Sequence, residues 1–526
     1  MKKLLSILIA IMMLVGLCAP MAISVGAEET ADTWDGSANI KWYLDGKAAD
    51  NGIYELNSAE DLAGFAYVVT AGGTEGRLFT RGVYYDSTTF EILGYNAGPN
   101  FTDWKITGMK AYTPTNGDNS VLIAGDKFFY ATVSLTCDVI LNEGDAADWA
   151  TSAPIFSWVP IGHCNNVESW ADIGSFNGTF DGQGHTVSGM YVDGTTASNA
   201  PQDWGEGFFG IIGDANAVTV KNLVLDNFYV KGSIQVGAIA GRTRNGLTFE
   251  NCLVKNGFVV SPSNSGGYLG QTSAGGEMTV TGCGIENVTI DGYYAGSFAG
   301  ISNGTDTIFE NSYAKTTLTG APHMGILIGR VSSANHTVTN CYAVVSGTVG
   351  EYDDDTGAGK FGIYYGTTDT DPYSTNVSGY YYVKTVADGT TITDATGATE
   401  VTLADLTGDA ALTTLVDFDF ETIWKTTTEG TPVIELRGTV DDGGEDEGED
   451  EGEDEGEDEG EDEGEENVGG EENNGSDKTD GATENTDAAT DTEAAKGGCG
   501  GSIGIAGVAM IALASGAALV IKRKED

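Results

Sequence analysis

The chain has few basic residues, few histidines and few cysteines. Its 526 residues include 25 Lys and Arg against 78 Asp and Glu, which gives a net charge of -53. So large a surplus of negative charge opposes binding to nucleic acid or to an anionic membrane surface, and no nucleic-acid partner is expected. The 7 cysteines, one of them Cys18 near the start, are too few for a disulfide framework in a chain of this length.

The chain also lacks the short motifs of several enzyme classes. Its four histidines are His163, His185, His323 and His336. None belongs to a His-Glu-x-x-His motif. Cys164 follows His163 directly, but neighbouring residues of an extended strand point to opposite faces, which disfavours a thiol–imidazole pair. We therefore predict no catalytic residue, no metal site and no cofactor.

An internal repeat occupies residues 176–366. A phrase of two glycines that enclose two or three mostly apolar residues recurs along this stretch. Its copies are Gly207-Phe-Phe-Gly210, Gly237-Ala-Ile-Ala-Gly241, Gly267-Tyr-Leu-Gly270, Gly296-Ser-Phe-Ala-Gly300, Gly325-Ile-Leu-Ile-Gly329 and Gly362-Ile-Tyr-Tyr-Gly366. The first glycines lie 30, 30, 29, 29 and 37 residues apart, and such a period indicates a repeat architecture.

A second phrase keeps the same period. Its copies are Lys221-Asn222-Leu223, Glu250-Asn251-Cys252, Gly282-Cys283, Glu310-Asn311-Ser312 and Thr339-Asn340-Cys341. Short apolar runs bounded by Gly, Asn and Asp lie between the phrases and predict strands rather than helices. We expect three short strands per copy, stacked as one turn of a parallel β-solenoid, which makes the fold all-β. The asparagines should form an inward ladder of amides, and the cysteines a column of small buried side chains.

The glycine phrases resemble the GLUG motif of bacterial surface proteins. The segment Phe176-Asn-Gly-Thr-Phe-Asp-Gly-Gln-Gly-His-Thr-Val-Ser-Gly-Met190 is similar to the one that opens the repeats in those proteins. Trp158-Val-Pro-Ile-Gly162 and Leu135-Thr-Cys-Asp-Val-Ile-Leu141 are similar to the segments before it. The resemblance extends over residues 54–70 and 128–437. It implies a right-handed parallel β-helix, expected here over residues 128–366, on a secreted or surface protein, and it implies no reaction.

The segment before the repeats predicts a leader, a cap and an insertion. Two lysines, an apolar run and small residues at 25–27 predict a secretory signal peptide over residues 1–27. Residues 28–127 are expected to cap the first turn, with a capping box at 57–60 and a short amphipathic helix after it. An aromatic-rich insertion at residues 72–126 is either a binding feature or a subdomain without that role. In the binding interpretation, sugar rings stack on Tyr84, Tyr85, Trp104 and Tyr112.

The segment after the repeats predicts a second cap and a stalk. We expect the C-terminal cap over residues 367–437, with a helix at 403–416. Every residue from 441 to 466 is Asp, Glu or Gly, so residues 438–498 are expected to form a disordered, extended acidic stalk. This diffuse run contains no spaced calcium-binding loop.

The last residues predict a membrane anchor. Residues 503–521 carry no charge and are long enough to cross a bilayer as a helix, and Lys522-Arg523-Lys524 follows at once. The basic tail is therefore expected in the cytoplasm and the repeats outside the cell. The predicted anchor region spans residues 499–526 and begins at Cys499, which has two glycines on each side. Cys499 is a predicted site of modification or processing, and the alternative is a plain single-span anchor.

These features favour a cell-surface-anchored bacterial protein that binds an extracellular glycan or protein ligand, as an adhesin does. A structural surface-coat role and a carbohydrate-active enzyme, either a polysaccharide lyase or a glycosidase, stay open as alternatives. Such an enzyme needs converging carboxylates, or calcium with a basic residue, on one face. Arg242 and Arg330 hold equivalent positions about three turns apart, roughly 14 Å, and no acidic stripe accompanies them. We therefore do not expect an enzyme.

Overall fold

The computed structural model describes residues 31–72, 82–96, 109–162, 174–196, 205–273, 275–320, 323–332, 335–349, 360–368, 374–387, 390–393 and 395–434. The predicted signal peptide, the acidic stalk, Cys499 and the C-terminal anchor lie outside these residues. No helix among the described residues is both long and apolar enough to cross a membrane. The described chain is mostly β-structure in long parallel sheets, an arrangement consistent with a β-helix or solenoid.

The largest sheet, called sheet A here, has 18 strands, and all its pairings are parallel. Successive repeats pair in register: Val218–Lys221 with Leu247–Glu250, and Val224–Lys231 with Leu253–Val260. Its other strands are Asp32–Thr33, Ile53–Leu56, Thr132–Leu135, Val139–Ile140, Thr179–Asp181, Thr186–Ser188, Tyr191–Asp193, Glu277–Thr281, Gly284–Asp291, Asp306–Glu310, Tyr313–Thr319, Asn335–Gly347, Ser374–Val386 and Ala398–Glu400. Sheet A therefore extends on both sides of the glycine-phrase region.

Two further parallel sheets of six strands each complete the repeats. Sheet B contains Phe209–Ile212, Ala240–Thr243, Leu269–Thr272, Ala299–Asn303, Ile328–Ser332 and Tyr365–Thr368. Sheet C contains Gln235–Gly237, Asn264–Gly266, Tyr294–Gly296, His323–Gly325, Lys360–Gly362 and Thr391–Thr393. From the second copy onwards, each glycine phrase forms the corner between them, since its first glycine ends a strand of sheet C and its second lies in the next strand of sheet B.

The phrases need glycine because backbones approach closely at this corner. A Cβ on Gly237 would lie 2.3 Å from the Ala240 carbonyl oxygen, and one on Gly270 would lie 2.4 Å from the Val236 nitrogen in the preceding repeat. Neither glycine has a left-handed backbone conformation. The absence of a side chain, rather than a positive φ, is therefore what the corner requires.

The register corrects one copy of the phrase. Gly237 pairs with Gly266, and Gly266 pairs with Gly296. The first glycine of the third copy is therefore Gly266, and the assignment to Gly267 is wrong. Two adjacent glycines made the choice ambiguous in the sequence, and only the pairing with both neighbouring repeats decides it.

Asparagines turn the chain between the two strands that each repeat gives to sheet A. Asn222, Asn251, Asn311 and Asn340 have left-handed φ angles between 45° and 52°, which asparagine tolerates better than most residues. Asn251 donates a hydrogen bond to Asn222 Oδ1 at 2.7 Å, and Asn222 donates to Asp181 Oδ1 at 2.8 Å. The predicted hydrogen bonding between amides of successive repeats is confirmed for Asn222 and Asn251, whereas the predicted inward orientation is not shown.

A second asparagine ladder, which was not predicted, runs beside the first. Asn256 donates to Asp226 Oδ1 at 2.8 Å, and Asn287 donates to Asn256 Oδ1 at 3.0 Å. Asn256 and Asn287 also have φ angles of 55° and 53°, so they bend the second strand of each repeat. In the next repeat the register shifts by one residue at this point and the ladder stops.

The cysteines form the predicted buried column. Cys252, Cys283 and Cys341 are buried and not in disulfides, and their thiols lie 3.2–3.4 Å from the carbonyl oxygens two residues earlier. Ser312 takes the same place in its own repeat and donates to the Glu310 carbonyl at 2.8 Å. Burial raises the pKa of Cys341 to about 12. These thiols are therefore structural and unreactive.

Two helices cover the first turns of sheet A. Helix α1 spans Lys41–Ala49, and helix α2 spans Ala59–Thr70. The Ser58 hydroxyl accepts a hydrogen bond from the Asp61 N–H at 3.1 Å, and the Asp61 carboxylate accepts one from the Asn57 N–H at 3.0 Å. Ser58 is therefore the N-cap and Asp61, the third residue of the helix, is its capping partner. The predicted capping box at 57–60 ends one residue too early.

Helix α1 has no strong sequence signal and forms through packing. It contains Gly46, a poor helix former, but a Cβ there would lie 2.3 Å from the Tyr54 ring. Trp42 and Tyr43 of α1 are 4% exposed, and burial of such a ring stabilises the fold by about 2 kcal/mol. The burial of Trp42 and Tyr43 therefore outweighs the low helix propensity of Gly46.

The C-terminal segment packs along the outside of sheet A. Leu406, Ala411, Leu415, Phe418 and Trp424 form a cluster with Tyr313 and Tyr342 of the sheet. The predicted single helix at 403–416 is wrong: the structure has a 3-10 helix at Leu403–Leu406 and a short α-helix, α3, at Ala410–Thr414. Gly408, with φ at 56°, separates them. A hairpin of Trp424–Lys425 and Val433–Ile434 follows.

The first asparagine ladder is interrupted at Gly282, and Gly282→Asn should repair it. Gly282 already has φ at 62°, and a Cβ there would lie no closer than 3.8 Å to Asn251. The added amide can bond to its neighbours and project into the crevice of about 120 Å³ beside Thr422 and Ile423. We expect the free energy of unfolding in urea to rise by about 1 kcal/mol.

Gly282→Ala is the matched control for this change. It adds the Cβ at a left-handed φ without an amide, so it should destabilise the protein by about 1 kcal/mol. Equal stabilities of the Asn and Ala variants would contradict the ladder interpretation.

The buried His336 should make stability depend on pH. Its Nδ1 lies 2.6 Å from Thr307 Oγ1, its ring lies 4.7 Å from that of Tyr365, and burial lowers its pKa to about 4. Since the folded pKa is below the unfolded value near 6.5, the unfolded chain binds more protons, and this contribution to stability is lost as pH falls from 6.5 towards 4. The loss between pH 7 and pH 5 should be about 2 kcal/mol.

The variant His336→Gln, which stays neutral, isolates this effect. Asp61 acts in the opposite direction, because burial raises its pKa to about 6 and favours the fold at low pH. The difference between wild type and His336→Gln removes that background, since both proteins contain Asp61. Unfolding curves in which both proteins lose the same stability from pH 7 to pH 5 would contradict the assignment to His336.

Candidate ligand-binding cleft

The predicted aromatic site divides between two faces of a small sheet. Gly82–Asp86, Ile92–Asn96, Ala111–Tyr112 and Ser120–Ala124 form this four-stranded sheet. Tyr84 and Tyr112 lie together, with ring centroids 5.6 Å apart, whereas the neighbouring Tyr85 packs against the main hydrophobic core. Trp104 lies outside the described residues. The structure therefore brings Tyr84 and Tyr112 together but turns Tyr85 away from them.

The Tyr84–Tyr112 pair is held by a local hydrogen-bond network. The Tyr112 hydroxyl donates to Asp118 Oδ2 at 2.9 Å, and this bond raises the pKa of Tyr112. Asp118 also accepts hydrogen bonds from Ser120 and Thr115, which hold the pKa of its carboxyl well below the usual range. Two tilted, half-buried rings offer only a narrow surface for a sugar ring.

A larger concave site lies elsewhere, beside the loop of residues 142–156. This cleft has a volume of about 420 Å³. Its walls combine aromatic side chains with carboxylates. The lining includes the aromatic residues Trp34, Trp149 and Phe156 and the acidic residues Glu143, Asp145 and Asp148.

Buried Asn142 holds the two ends of the loop together. Its side-chain amide donates to the carbonyls of Phe156 at 2.8 Å and Gly189 at 2.9 Å, and its oxygen accepts from the Phe156 N–H at 2.9 Å. One side chain thus closes the loop of residues 142–156 onto sheet A, next to the strand Val139–Ile140. The cleft is built on a fixed frame.

The tip of the loop is anchored on the outer surface of sheet A. Asn227 accepts a hydrogen bond from the Ala146 N–H at 2.9 Å and donates one to the Gly144 carbonyl at 2.8 Å. Trp149, 4% exposed, packs edge-on against Tyr191, whose ring stacks on Tyr229. The short 3-10 helix Ala146–Asp148 begins where Asp145 Oδ1 accepts from the Ala147 N–H at 2.9 Å. Another 3-10 turn spans Gly194–Thr196.

The aromatic wall depends on a close packing of rings. Trp34 lies 5.2 Å from Phe156 and 6.1 Å from Trp158, measured between ring centroids. Its indole N–H donates to the Ser37 carbonyl at 2.7 Å, which fixes the ring plane. Gly36, with φ at 91°, is needed here because a Cβ would lie 2.6 Å from the Phe156 ring.

A cleft lined by aromatic rings and carboxylates suits a ligand with apolar faces and hydroxyl donors. Sugar rings have this character: their C–H faces pack on Trp and Phe, and their hydroxyls donate to carboxylates. Glu143 and Asp148 are exposed to solvent, so both carboxylates are accessible to a ligand in the cleft. No group of three or more His, Cys, Asp and Glu that could hold a metal occurs in the described part of the chain.

Sequence reasoning missed this cleft. Its signal was present in the aromatic and acidic residues of 143–156, but they look like an ordinary polar loop until Trp34, more than a hundred residues away, is placed beside them. Among the histidines named in the sequence, His185 lies 3.2 Å from Asp138. His163 and Cys164 lie outside the described residues.

Comparisons with known proteins find two similarities, both at low sequence identity. No family model matches the chain. A stretch of 159 residues is 29% identical to halomucin of Haloquadratum walsbyi (strain DSM 16790 / HBSQ001), and it covers 30% of this chain but only 2% of halomucin. A crystal structure of a candidate immunoglobulin A1 protease from Bacteroides ovatus aligns with 59% of this chain and 86% of its own, at a TM-score of 0.39 and 16% identity. No family follows from these matches.

The loop frame can be tested through Asn142→Asp. This change keeps the shape but removes the two N–H donors, so the buried carbonyls of Phe156 and Gly189 lose their partner at a cost of about 2 kcal/mol. We expect faster hydrogen exchange at the Ala146 amide and more rapid proteolysis within residues 143–156. The matched control Asn245→Asp removes one donor, to Gly213, on another loop. Unchanged exchange in the Asn142 variant would show that the loop is held by other contacts.

Proposed function

We propose that this chain is a bacterial surface protein that displays a right-handed parallel β-helix and binds glycans through the cleft beside residues 142–156. The single observation that carries the proposal is the cleft of about 420 Å³, whose lining includes Trp34, Phe156, Glu143 and Asp148. Concave sites with aromatic walls and a few polar groups are the usual places for small ligands. In this proposal the protein acts as an adhesin, and the cleft replaces the insertion aromatics as its contact site.

The surface location draws on two supports. The similarity to halomucin fits a surface protein, and the glycine phrases resemble the GLUG motif of such proteins. The signal peptide of residues 1–27, the stalk of 438–498 and the anchor of 499–526 belong to the same proposal. An intact-mass measurement of the membrane-extracted protein tests the anchor, because an unmodified full-length C-terminus would exclude processing at Cys499.

A carbohydrate-active enzyme is the second candidate, and the same cleft is the observation in its favour. A glycosidase needs two carboxyl groups on either side of the scissile bond, and the cleft contains Glu143, Asp145 and Asp148. Binding without hydrolysis would leave the adhesin proposal standing, whereas reducing ends released by wild type but not by Glu143→Gln or Asp148→Asn would favour the enzyme.

Binding of the full-length protein to a glycan array tests the proposed site. The double variant Glu143→Gln/Asp148→Asn should weaken binding at least tenfold, because each removed carboxylate takes away about 1 kcal/mol or more of hydrogen bonding. Asp145 is left intact because it caps the 3-10 helix. A second variant, Tyr84→Ala/Tyr112→Ala, should bind as wild type does.

Asp409→Asn/Glu421→Gln is the matched control. It makes the same change in charge at two exposed carboxylates of the C-terminal segment. Loss of binding in the tyrosine variant alone would move the site to the insertion. Equal loss in the cleft variant and in the control would mean that only overall charge matters.

A further inference from the structure

A buried ion pair lies where the N-terminal segment meets the first repeats. Lys127 Nζ lies 2.8 Å from Asp214 Oδ2, and the two side chains are 7% and 9% exposed. Lysine is almost never buried this deeply without a partner, and an ammonium group out of water is costly unless its contacts are close. The pair is therefore tightly held, and it brings a primary amine into the interior of the protein.

Asn177 lies against the same carboxylate. Its amide nitrogen Nδ2 donates to Asp214 Oδ1 at 2.9 Å, and the residue is 1% exposed. One carboxylate thus contacts the Lys127 amine through one oxygen and the Asn177 amide nitrogen through the other. The backbones also meet, because the Asn177 N–H donates to the Lys127 carbonyl at 2.9 Å. A Cβ on Gly178 would lie 2.5 Å from the Phe128 carbonyl oxygen, so the two segments stay close beyond this bond.

Two backbone donors hold the amide oxygen of Asn177. The N–H groups of Ala215 and Asn216 donate to Asn177 Oδ1 at 3.0 and 3.1 Å. Negative charge develops on this oxygen when a nucleophile adds to the amide carbon, and paired N–H donors at such distances stabilise it. Gly213, with φ at 65°, turns the chain after the strand Phe209–Ile212 and so presents these donors. The arrangement has the form of an oxyanion hole.

The surroundings of these groups are apolar and dry. Phe128 follows Lys127 in the chain and Phe176 precedes Asn177; they are 2% and 0% exposed, and their ring centroids lie 6.2 Å apart. Ser175, also fully buried, donates to Asp214 Oδ1. Exclusion of water strengthens the polar contacts within such a site and protects a bond formed there from hydrolysis.

We propose that Lys127 and Asn177 form an intramolecular amide bond, with Asp214 as the proton carrier. Lys127 Nζ, on its flexible stem, attacks the Asn177 amide carbon; the Nζ–Cγ bond forms and the Cγ–Nδ2 bond breaks. Two of the three ammonium protons pass through the Asp214 carboxylate to Nδ2, which leaves as ammonium. Atoms and charge balance between the two side chains, so no co-reactant is needed. The contacts of 2.8 and 2.9 Å are within the reach of a general acid–base group.

A similar set of contacts on sheet A lacks the features that favour the reaction. Lys221 Nζ lies 3.2 Å from Asp181 Oδ2, and Asn222 Nδ2 donates to Asp181 Oδ1 at 2.8 Å. The Lys221 side chain is 34% exposed, however, and the Asn222 amide oxygen accepts from the side chain of Asn251 instead of a pair of backbone N–H groups. We expect no bond there, so Lys221 is an internal control.

The bond would close residues 127–177 into a covalent loop. It would tie the end of the predicted N-terminal cap to the first repeats and keep them joined even when the chain unfolds. A cross-link of this kind restricts the unfolded chain and so stabilises the fold. Formation of the bond depends neither on the cleft beside residues 142–156 nor on a ligand in it.

The test is peptide mapping of the full-length protein, digested with trypsin under denaturing conditions and analysed by mass spectrometry. Trypsin does not cut after a lysine whose Nζ is acylated, and the neighbouring sites are Lys110 and Lys221. We expect one peptide of residues 111–221, lighter than its sequence by one ammonia, in place of the peptides 111–127 and 128–221. Cleavage after Lys221 should be complete.

A second digestion locates the bond. Glutamyl endopeptidase cuts this peptide after Glu143, Glu168 and Glu206. A bond to Asn177 leaves the fragment 111–143 joined to 169–206. The fragment 111–143 joined instead to 207–221, lighter by one water, would show a bond to Asp214 and overturn the assignment to Asn177.

Two variants test the roles of the amine and the carboxylate. Lys127→Arg keeps the positive charge beside Asp214 but has no primary amine, so trypsin should cut fully after position 127. Asp214→Asn keeps the shape but cannot carry the proton, and it should leave Lys127 open to trypsin. A joined peptide that persists in Asp214→Asn would overturn the role of Asp214.

The wild-type digest decides whether the bond exists, whether or not either variant folds. Cleavage after Lys127 as complete as that after Lys221 would overturn the proposal and leave a buried ion pair.

Discussion

The structure depends on parallel backbone pairing between successive repeats. Each strand finds its equivalent in the next copy about 4.8 Å away, so any residue is repeated as a row along the molecule. Such rows place like side chains in contact, and only some side chains tolerate this. Asparagines hydrogen-bond to one another, small thiols stack in a column, and aromatic rings pack on aromatic rings, as Tyr313 does on Tyr342 at 5.4 Å.

The same constraint explains where charge is found. Identical charges in one row would repel at the distance between strands, and sheet A avoids this by alternating carboxylates with lysines across the ladder. In sheets B and C the described strands contain no Asp or Glu.

Binding features lie where the chain departs from the repeat. The loop of residues 142–156 leaves sheet A and is held by Asn142, Asn227 and Trp149. Its exposed carboxylates take no part in the pairing between repeats. A rigid scaffold with a tied loop is a common way to build a site, because the loop can vary while the sheet keeps its geometry. The crevice beside Gly282 arises in another way, through the loss of one side chain from an otherwise regular ladder.

The sequence by itself determined the repeat, the strands within it, the buried cysteine column and the asparagine turns at Asn222 and Asn251, because each depends on residues that are close in the chain or recur at a fixed interval. Only the tertiary structure decided that Gly266 opens the third phrase, that Tyr85 faces the core and that Trp34 meets Phe156 across the cleft. It also decided that helix α1 forms and that residues 403–416 do not make one helix. These features depend on which strand pairs with which and on the burial of rings far apart in the chain, and neither leaves a periodic signal.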